Sequence, residues 1–236
     1  MRRRGGVCLI PPGGPPLFPD PRYADAEGPL AVGGDLSVER LLAAYDQGIF
    51  PWYEQGYPPL WWSPDPRAIL EPESLHISRS LGRLIRQGRF ELSWNRAFQR
   101  VIEACGRKRR GGTWIIPEML AAYLRLHMLG HAHSLELWSD GQLAGGLYGV
   151  QRGALFAAES MFHRPPNASK LALVAGVQSL FGAGVRLFDV QFLTPHLARF
   201  GAREIPREES LARLAQARSA PVELGALVPW IAAPGG

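Results

Sequence analysis

The chain has 236 residues, 46% of them hydrophobic, with a formal net charge of +5 and only two cysteines. That is enough for one large domain or a medium one with a small companion, and it excludes wholesale disorder. Cys8 and Cys105 have neither metal-like nor redox-like spacing, which argues against a disulfide scaffold and fits a reducing compartment. The opening "MRRRGGVCLIPPGGPP" is basic, but its apolar piece, Val7 to Ile10, is too short for a signal-peptide core. No apolar run is long enough to span a bilayer, so the expected location is cytoplasmic.

The first 35 residues are rich in Pro and Gly and show little periodicity. "LSVERLLAAYDQGIF" reads as a helix with Ser37 at its N-cap and Gly48 at its stop. "FPWYEQGYPPLWWSPDPRAIL" follows, too dense in prolines to be a regular helix. A boundary between a small N-terminal domain, 1–70, and a main domain, 71–236, is expected here. "SRSLGRLIRQG" reads as a short helix ending at Gly88, "RFELSW" as a strand, and "NRAFQRVIEAC" as a helix capped by Asn95. A helix over 117–129 is predicted, with Pro117 at its start and Gly130 at its end.

From there the pattern is strand "HSLELW", an Asp-Gly turn, return strand "LAGGLYGV", a second turn and strand "ALFAAES". The segment "MFHRPPNA" reads as a loop, Ser169 to Phe181 as a helix, and "RLFDVQFL" as a strand of about eight residues. A helix between neighbouring strands implies a parallel pair with a right-handed crossover. The fold class is therefore α+β with a mixed β-sheet. The order also occurs in N-acetyltransferase-like domains.

Charge is uneven. Between Arg79 and Arg110 lie nine arginines and Lys108 against Glu91 and Glu103, a local +8 that leaves the rest of the chain at −3. Arg79, Arg83 and Arg86 share one helix face, and Arg107, Lys108, Arg109 and Arg110 crowd a loop. Such a block suits a polyanionic partner, although a solvated helix face has the same look.

Asp189 and Gln191 stand two apart in an otherwise apolar strand. Alternation puts them on one face, with Phe188, Val190 and Phe192 on the other. An unpartnered buried polar group costs about 1–3 kcal/mol, so each needs a partner: the other, the backbone, water or a substrate. The pair sits near a strand's C-terminal end, where ligands bind in open sheets with crossovers. Glu159 and Ser160 end a strand that would neighbour it. Trp52, Trp61, Trp62 and Trp114 are core candidates one by one, but beside the Arg block they could stack a nucleobase. His127, His131 and His133 are close, but Gly130 interrupts the helical spacing that zinc would need, so no metal site is expected. The chain has no nucleophile elbow, phosphate loop or dinucleotide fingerprint. "VQRGALFAAES" is a poor match to a coenzyme A pyrophosphate loop.

"GGDLSVERLLAAYDQGIFPWY", "LWWSPDPRAIL", "LHISRSL", "GTWI", "LGHAHSLELW", "GGLYGV", "ESMFHR", "NASKLAL" and "FDVQFLTPHLARFGA" together resemble leucyl/phenylalanyl-tRNA–protein transferases, in that family's order and over about residues 18–215. The resemblance implies a bacterial cytoplasmic enzyme with a small N-terminal domain and an acetyltransferase-like domain. It would take Leu or Phe, sometimes Met, from aminoacyl-tRNA (Leu-tRNA, Phe-tRNA). It would join that residue to the N-terminal Arg or Lys of acceptor proteins, marking them for degradation. No metal or cofactor is implied, no membrane partner, and a monomer is expected. An aminoacyl ester is already activated, so such an enzyme must place a neutral amine against the carbonyl and stabilise the oxyanion. Carried onto this chain, Asp189 and Gln191 would be catalytic, with Asp189 polarising Gln191 or pairing with the acceptor's charge. Glu159 is a second candidate for that charge. Trp52 and Trp114 would stack the terminal adenosine, and Leu147, Phe156 and Met161 would form the apolar pocket. The Arg79–Arg110 block would hold tRNA phosphates. A coenzyme A-dependent acyltransferase and a non-catalytic RNA-binding module are the competing readings.

Overall fold

The computed structural model describes residues 2–4, 6–107 and 113–233, and Lys108, Arg109 and Arg110 lie outside them. In chain order the strands are β1 (Arg2–Arg4), β2 (Val7–Ile10), β3 (Pro29–Gly33), β4 (Phe50–Pro51), β5 (Leu60–Trp62), β6 (Arg67–Ile69), β7 (Glu91–Trp94), β8 (Ala132–Ser139), β9 (Gln142–Arg152), β10 (Leu155–His163), β11 (Leu187–Gln191) and β12 (Arg203–Ile205). The helices are α1 (Val38–Tyr45), α2 (Arg79–Arg86), α3 (Phe98–Cys105), α4 (Pro117–Met128), α5 (Ala168–Gly182), α6 (Pro195–Ala198) and α7 (Arg207–Arg218).

Two sheets form. The smaller runs β1-β2-β3-β5-β4 and the larger β12-β6-β11-β10-β9-β8-β7. The α+β class with a mixed larger sheet stands as expected. The two sheets divide between Trp62 and Arg67, because β6 pairs with β11 and β12 of the larger one. Local patterning hid β1, β2 and β3 in the proline-rich opening, because strands this short are defined by their pairing partners more than by their own alternation.

The meander β8-β9-β10 is antiparallel, and α5 carries the crossover that makes β10 and β11 parallel. β10 extends to His163, through residues read above as loop. Helices cover both faces of the larger sheet. Leu81 of α2 and Leu171, Val174 and Val177 of α5 pack with Leu135, Leu147, Phe156 and Phe188 on one face. Tyr45 of α1, Ile102 of α3 and Tyr123 of α4 pack with Tyr148 and Ala157 on the other. Gly145 and Gly176 allow α5 its close seat. A Cβ on Gly145 would fall 2.9 Å from Ala168 Cβ, and one on Gly176 2.9 Å from Leu147 Cδ2.

Asn95 is not the cap of α3. It takes φ 57°, and its side chain serves Ser134 N and His133 instead. The two amides just before α3 are met by Glu136, wholly buried on β8, which accepts from Arg96 N, Ala97 N and the hydroxyls of Ser93 and Ser134.

Candidate active site

The parallel pairing of β10 and β11 covers only Leu155–Ala157 against Leu187–Asp189. Beyond it β10 bulges between Ala158 and Ser160, β11 shifts register against β6 between Asp189 and Gln191, and the two strands part. A cavity of about 310 Å³ opens in the split. Leu147, Met161, Leu173, Val190 and Leu197 make its aliphatic wall; Phe50, Trp52, Trp114 and Phe192 make its aromatic side; Glu159, Ser160, Gln191 and Thr194 are its polar groups. A second cavity of about 410 Å³ shares Trp52 and Trp114 and adds Tyr53, Tyr57 and Trp62. The aromatic side is continuous. Trp52 lies 5.5 Å from both Trp62 and Phe192, and Phe192 lies 5.7 Å from Phe50, between ring centroids.

Asp189 and Gln191 do not emerge together. Asp189 is 5% exposed and is not among the residues lining the cleft. Its carboxylate is gripped in a fork by Arg67, Nε to Oδ1 at 2.9 Å and Nη2 to Oδ2 at 2.5 Å. Oδ1 also accepts from Gln191 N at 2.9 Å. Gln191 adopts φ 60°, outside the strand region, so alternation ends at Val190 and the side chain turns to the cleft. With its amide nitrogen facing the nearby carbonyls, it donates to Ala158 O at 2.9 Å and Val190 O at 3.1 Å, bridging the parted strands. The expectation of a shared face fails because the bulge and the left-handed residue break the two-residue period on which it rested.

Glu159 reaches the cleft from β10. Tyr45 Oη donates to Oε1 at 2.7 Å and Tyr123 Oη to Oε2 at 3.0 Å, while the two phenol oxygens are 2.6 Å apart. Burial pushes the Glu159 carboxyl up to about 7, against the lowering effect of the two tyrosine hydrogen bonds.

Trp52, Trp114, Leu147, Glu159 and Met161 thus meet in one cleft. Phe156 does not join them: it is fully buried and packs on Phe188 and Trp94. Arg79, Arg83 and Arg86 are exposed on α2, and Arg107 is exposed after α3. Two of the three clustered histidines have partners within the protein. His127 Nδ1 meets Ala132 O and stacks on Phe98, while His133 lies between Asn95 and Gln151 and stacks on Trp94. Among the described residues no group of His, Cys, Asp and Glu could hold a metal ion. Sequence reasoning missed Arg67, Tyr45 and Tyr123. Arg67 and Asp189 are 122 residues apart, and both tyrosines sit on helices at positions that read as core.

Parallel strands that part at their C-terminal ends, beside an apolar chamber holding a carboxyl that burial pushes up to about 7, are the arrangement in which α+β enzymes bind ligands. A family model for the leucyl/phenylalanyl-tRNA protein transferase matches residues 69–215, and one for that family's N-terminal domain matches residues 34–65. The chain belongs to this family of aminoacyltransferases. It is 59% identical to the leucyl/phenylalanyl-tRNA–protein transferase of Anaeromyxobacter sp. (strain Fw109-5), over 88% of this chain and 90% of that one. It is 51% identical to that of Pectobacterium carotovorum subsp. carotovorum (strain PC1), over 90% and 92%. A solved GCN5-related N-acetyltransferase-like protein from Streptococcus suis aligns over 76% of this chain and 69% of its own, at 12% identity and a TM-score of 0.32. No helix among the described residues is long and apolar enough to cross a membrane.

Proposed function

We propose that this chain moves Leu or Phe, with Met as a further donor residue, from aminoacyl-tRNA to the N-terminal Arg or Lys of acceptor proteins in the cytoplasm, forming a peptide bond and marking the product for degradation. The observation that carries this reading is the single cleft joining a chamber of branched aliphatics, a row of indoles and a titratable carboxyl. The chamber suits an apolar side chain of the size of Leu, Met or Phe. Discrimination there is modest, about 1–3 kcal/mol per methylene, which is why two donors of different shape are accepted. Trp52 and Trp114, which line both cavities, would stack the terminal adenine. Arg79, Arg83, Arg86, Arg107, Lys108, Arg109 and Arg110 meet phosphates as sequence-independent positive charge.

Gln191 acts by position. Its amide nitrogen serves two carbonyls, so its oxygen is the end left to accept from the incoming amine. Asp189 acts beneath it, holding the Gln191 backbone in its left-handed turn while Arg67 offsets the carboxylate. Glu159, the carboxyl in the cleft, supplies the negative field that favours a basic acceptor. The small N-terminal unit contributes Phe50 and Trp52, and the larger unit supplies the remainder of the cleft.

Single-turnover transfer of labelled Leu from Leu-tRNA to a peptide beginning with Arg tests the reading. Transfer with Leu-tRNA and none with acetyl-coenzyme A is expected. Acetylation without aminoacyl transfer, or tRNA binding with neither activity, would reject it.

A further inference from the structure

Three side chains stand in a closed ring, Glu159 with Tyr45, Tyr45 with Tyr123 and Tyr123 with Glu159, at 2.7, 2.6 and 3.0 Å. Three oxygen pairs at that spacing need three protons. The two phenols supply two. With the carboxyl ionised, one pair is left as two bare oxygens face to face; with the carboxyl protonated, every pair has its hydrogen. The ring is complete only when Glu159 has taken up a proton, and Glu159 is the one carboxyl among the residues that line the cleft.

The other candidates for proton acceptance are poorer. Asp189 is sealed under the cleft with Arg67 on its oxygens. The Gln191 carboxamide is too weak a base, and Ser160 and Thr194 are weaker still. We therefore propose that Glu159, held by Tyr45 and Tyr123, is the catalytic base that takes the proton of the attacking amine, and that the two tyrosines are its positioning residues. This rests on the aminoacyl-transfer reading of the cleft.

The step balances. The amine nitrogen bonds to the ester carbonyl carbon, and its surplus proton passes to the Glu159 carboxylate, closing the ring. On collapse of the tetrahedral adduct the carbon–oxygen bond to the ribose breaks. The departing ribose oxygen takes the proton back as a hydroxyl, and the carboxylate is regenerated.

The groups facing Glu159 are Tyr45 from α1, Tyr123 from α4, Tyr148 from β9, Asp189 from β11 and Arg67 from β6. Burial raises the carboxyl to about 7; Asp189 adds to the rise, while the tyrosines and Arg67 oppose it. A base poised there suits reaction near neutral pH.

The test is the pH profile of kcat, at saturating Arg-initiated peptide, for wild-type, Glu159→Gln, Tyr45→Phe and Tyr123→Phe. The wild-type profile is expected to fall on the acid side with a midpoint near pH 7. Glu159→Gln should lose about 100-fold or more in kcat, keep its tRNA Kd within about twofold and lose that limb. Each Tyr→Phe variant opens the ring around Glu159, so its limb should move away from the wild-type midpoint. An unchanged limb in all three variants overturns the proposal, as does a Glu159→Gln variant whose defect is entirely in KM for the peptide. Should Glu159→Gln not fold, the tyrosine variants decide. A wild-type chain that transfers nothing would fail the functional reading itself. The base assignment is then read by the infrared carboxyl band, which should vanish as pH rises through about 7 in wild-type protein and be missing in Tyr-intact Glu159→Gln. No such band in folded wild-type protein overturns it.

Discussion

Glu159 on β10 and Asp189 on β11 are neighbouring acids on either side of the same strand split, and their surroundings differ in kind. Asp189 faces a guanidinium. Arg67 reaches from β6, occupies both carboxylate oxygens, donates by Nη1 to Gly48 O at 3.0 Å and lies 4.8 Å from the Phe50 ring centroid. Glu159 is held by two phenols instead. One acid is made into structure, holding Arg67 of β6 and fixing the turn at Gln191. The other is left where a proton can come and go. Two acids in one site take different roles because their partners, not their own chemistry, differ.

That contrast is broken most severely by Arg67→Met. It strands Asp189 as an uncompensated buried carboxylate, so it should destabilise the fold by about 3–5 kcal/mol. Transfer should fall by more than about 100-fold. Urea melts and single-turnover rates check this; a loss confined to tRNA affinity would contradict it. Asp189→Ala should likewise lose transfer with near-unchanged tRNA Kd.

The opposite acid gives a stability signature. Glu159 binds its proton more tightly folded than unfolded, its pKa being raised from 4.5 to about 7. Its contribution to stability is full below about pH 4.5 and is lost as pH rises to about 7. The swing is on the order of 3 kcal/mol. Glu159→Gln should flatten that part of the curve of stability against pH, which denaturant melts at about pH 5 and about pH 7.5 would show; an unaltered curve counts against the carboxyl being proton-tuned.

Smaller effects sharpen the assignment of the rest of the cleft. Met161→Trp fills part of the aliphatic wall, so it should depress transfer of Phe relative to Leu by about tenfold, the order of one to two kcal/mol. Equal loss for both donors would place the side chain elsewhere. Neutralising Arg83 and Arg86 together should weaken tRNA binding and reduce the slope of log affinity against log salt by about 0.9 for each phosphate that is no longer neutralised. An unchanged slope would remove α2 from the footprint.

Much of this was legible in the sequence where local rules apply. The Asp-Gly turn between β8 and β9 and the crossover by α5 follow from turn chemistry and periodicity, whereas Glu159, read as the end of its strand, lies inside β10. The failures have one cause, which is dependence on distant partners. Arg67 looks like an ordinary residue after a proline until Asp189 is seen against it. Glu136 looks like a strand-face charge until the Arg96 and Ala97 amides, just before α3, are seen against it. Tyr45 and Tyr123 look like core aromatics, and they are packed as such; only their hydroxyls, meeting from α1 and α4, make them part of the site. The alternation that put Asp189 and Gln191 on one face holds up to Val190 and ends with a single left-handed residue that no pattern of apolar positions encodes.

A structure of the protein with a non-hydrolysable aminoacyl-adenosine analogue and an Arg-initiated peptide is the most direct measurement. The apolar side chain is expected against Leu147, Met161 and Leu173, the base on Trp52 or Trp114, and the peptide amine within hydrogen-bond reach of Glu159 and the Gln191 oxygen. An amine seated away from both, or an adenosine bound outside the strand split, would contradict it.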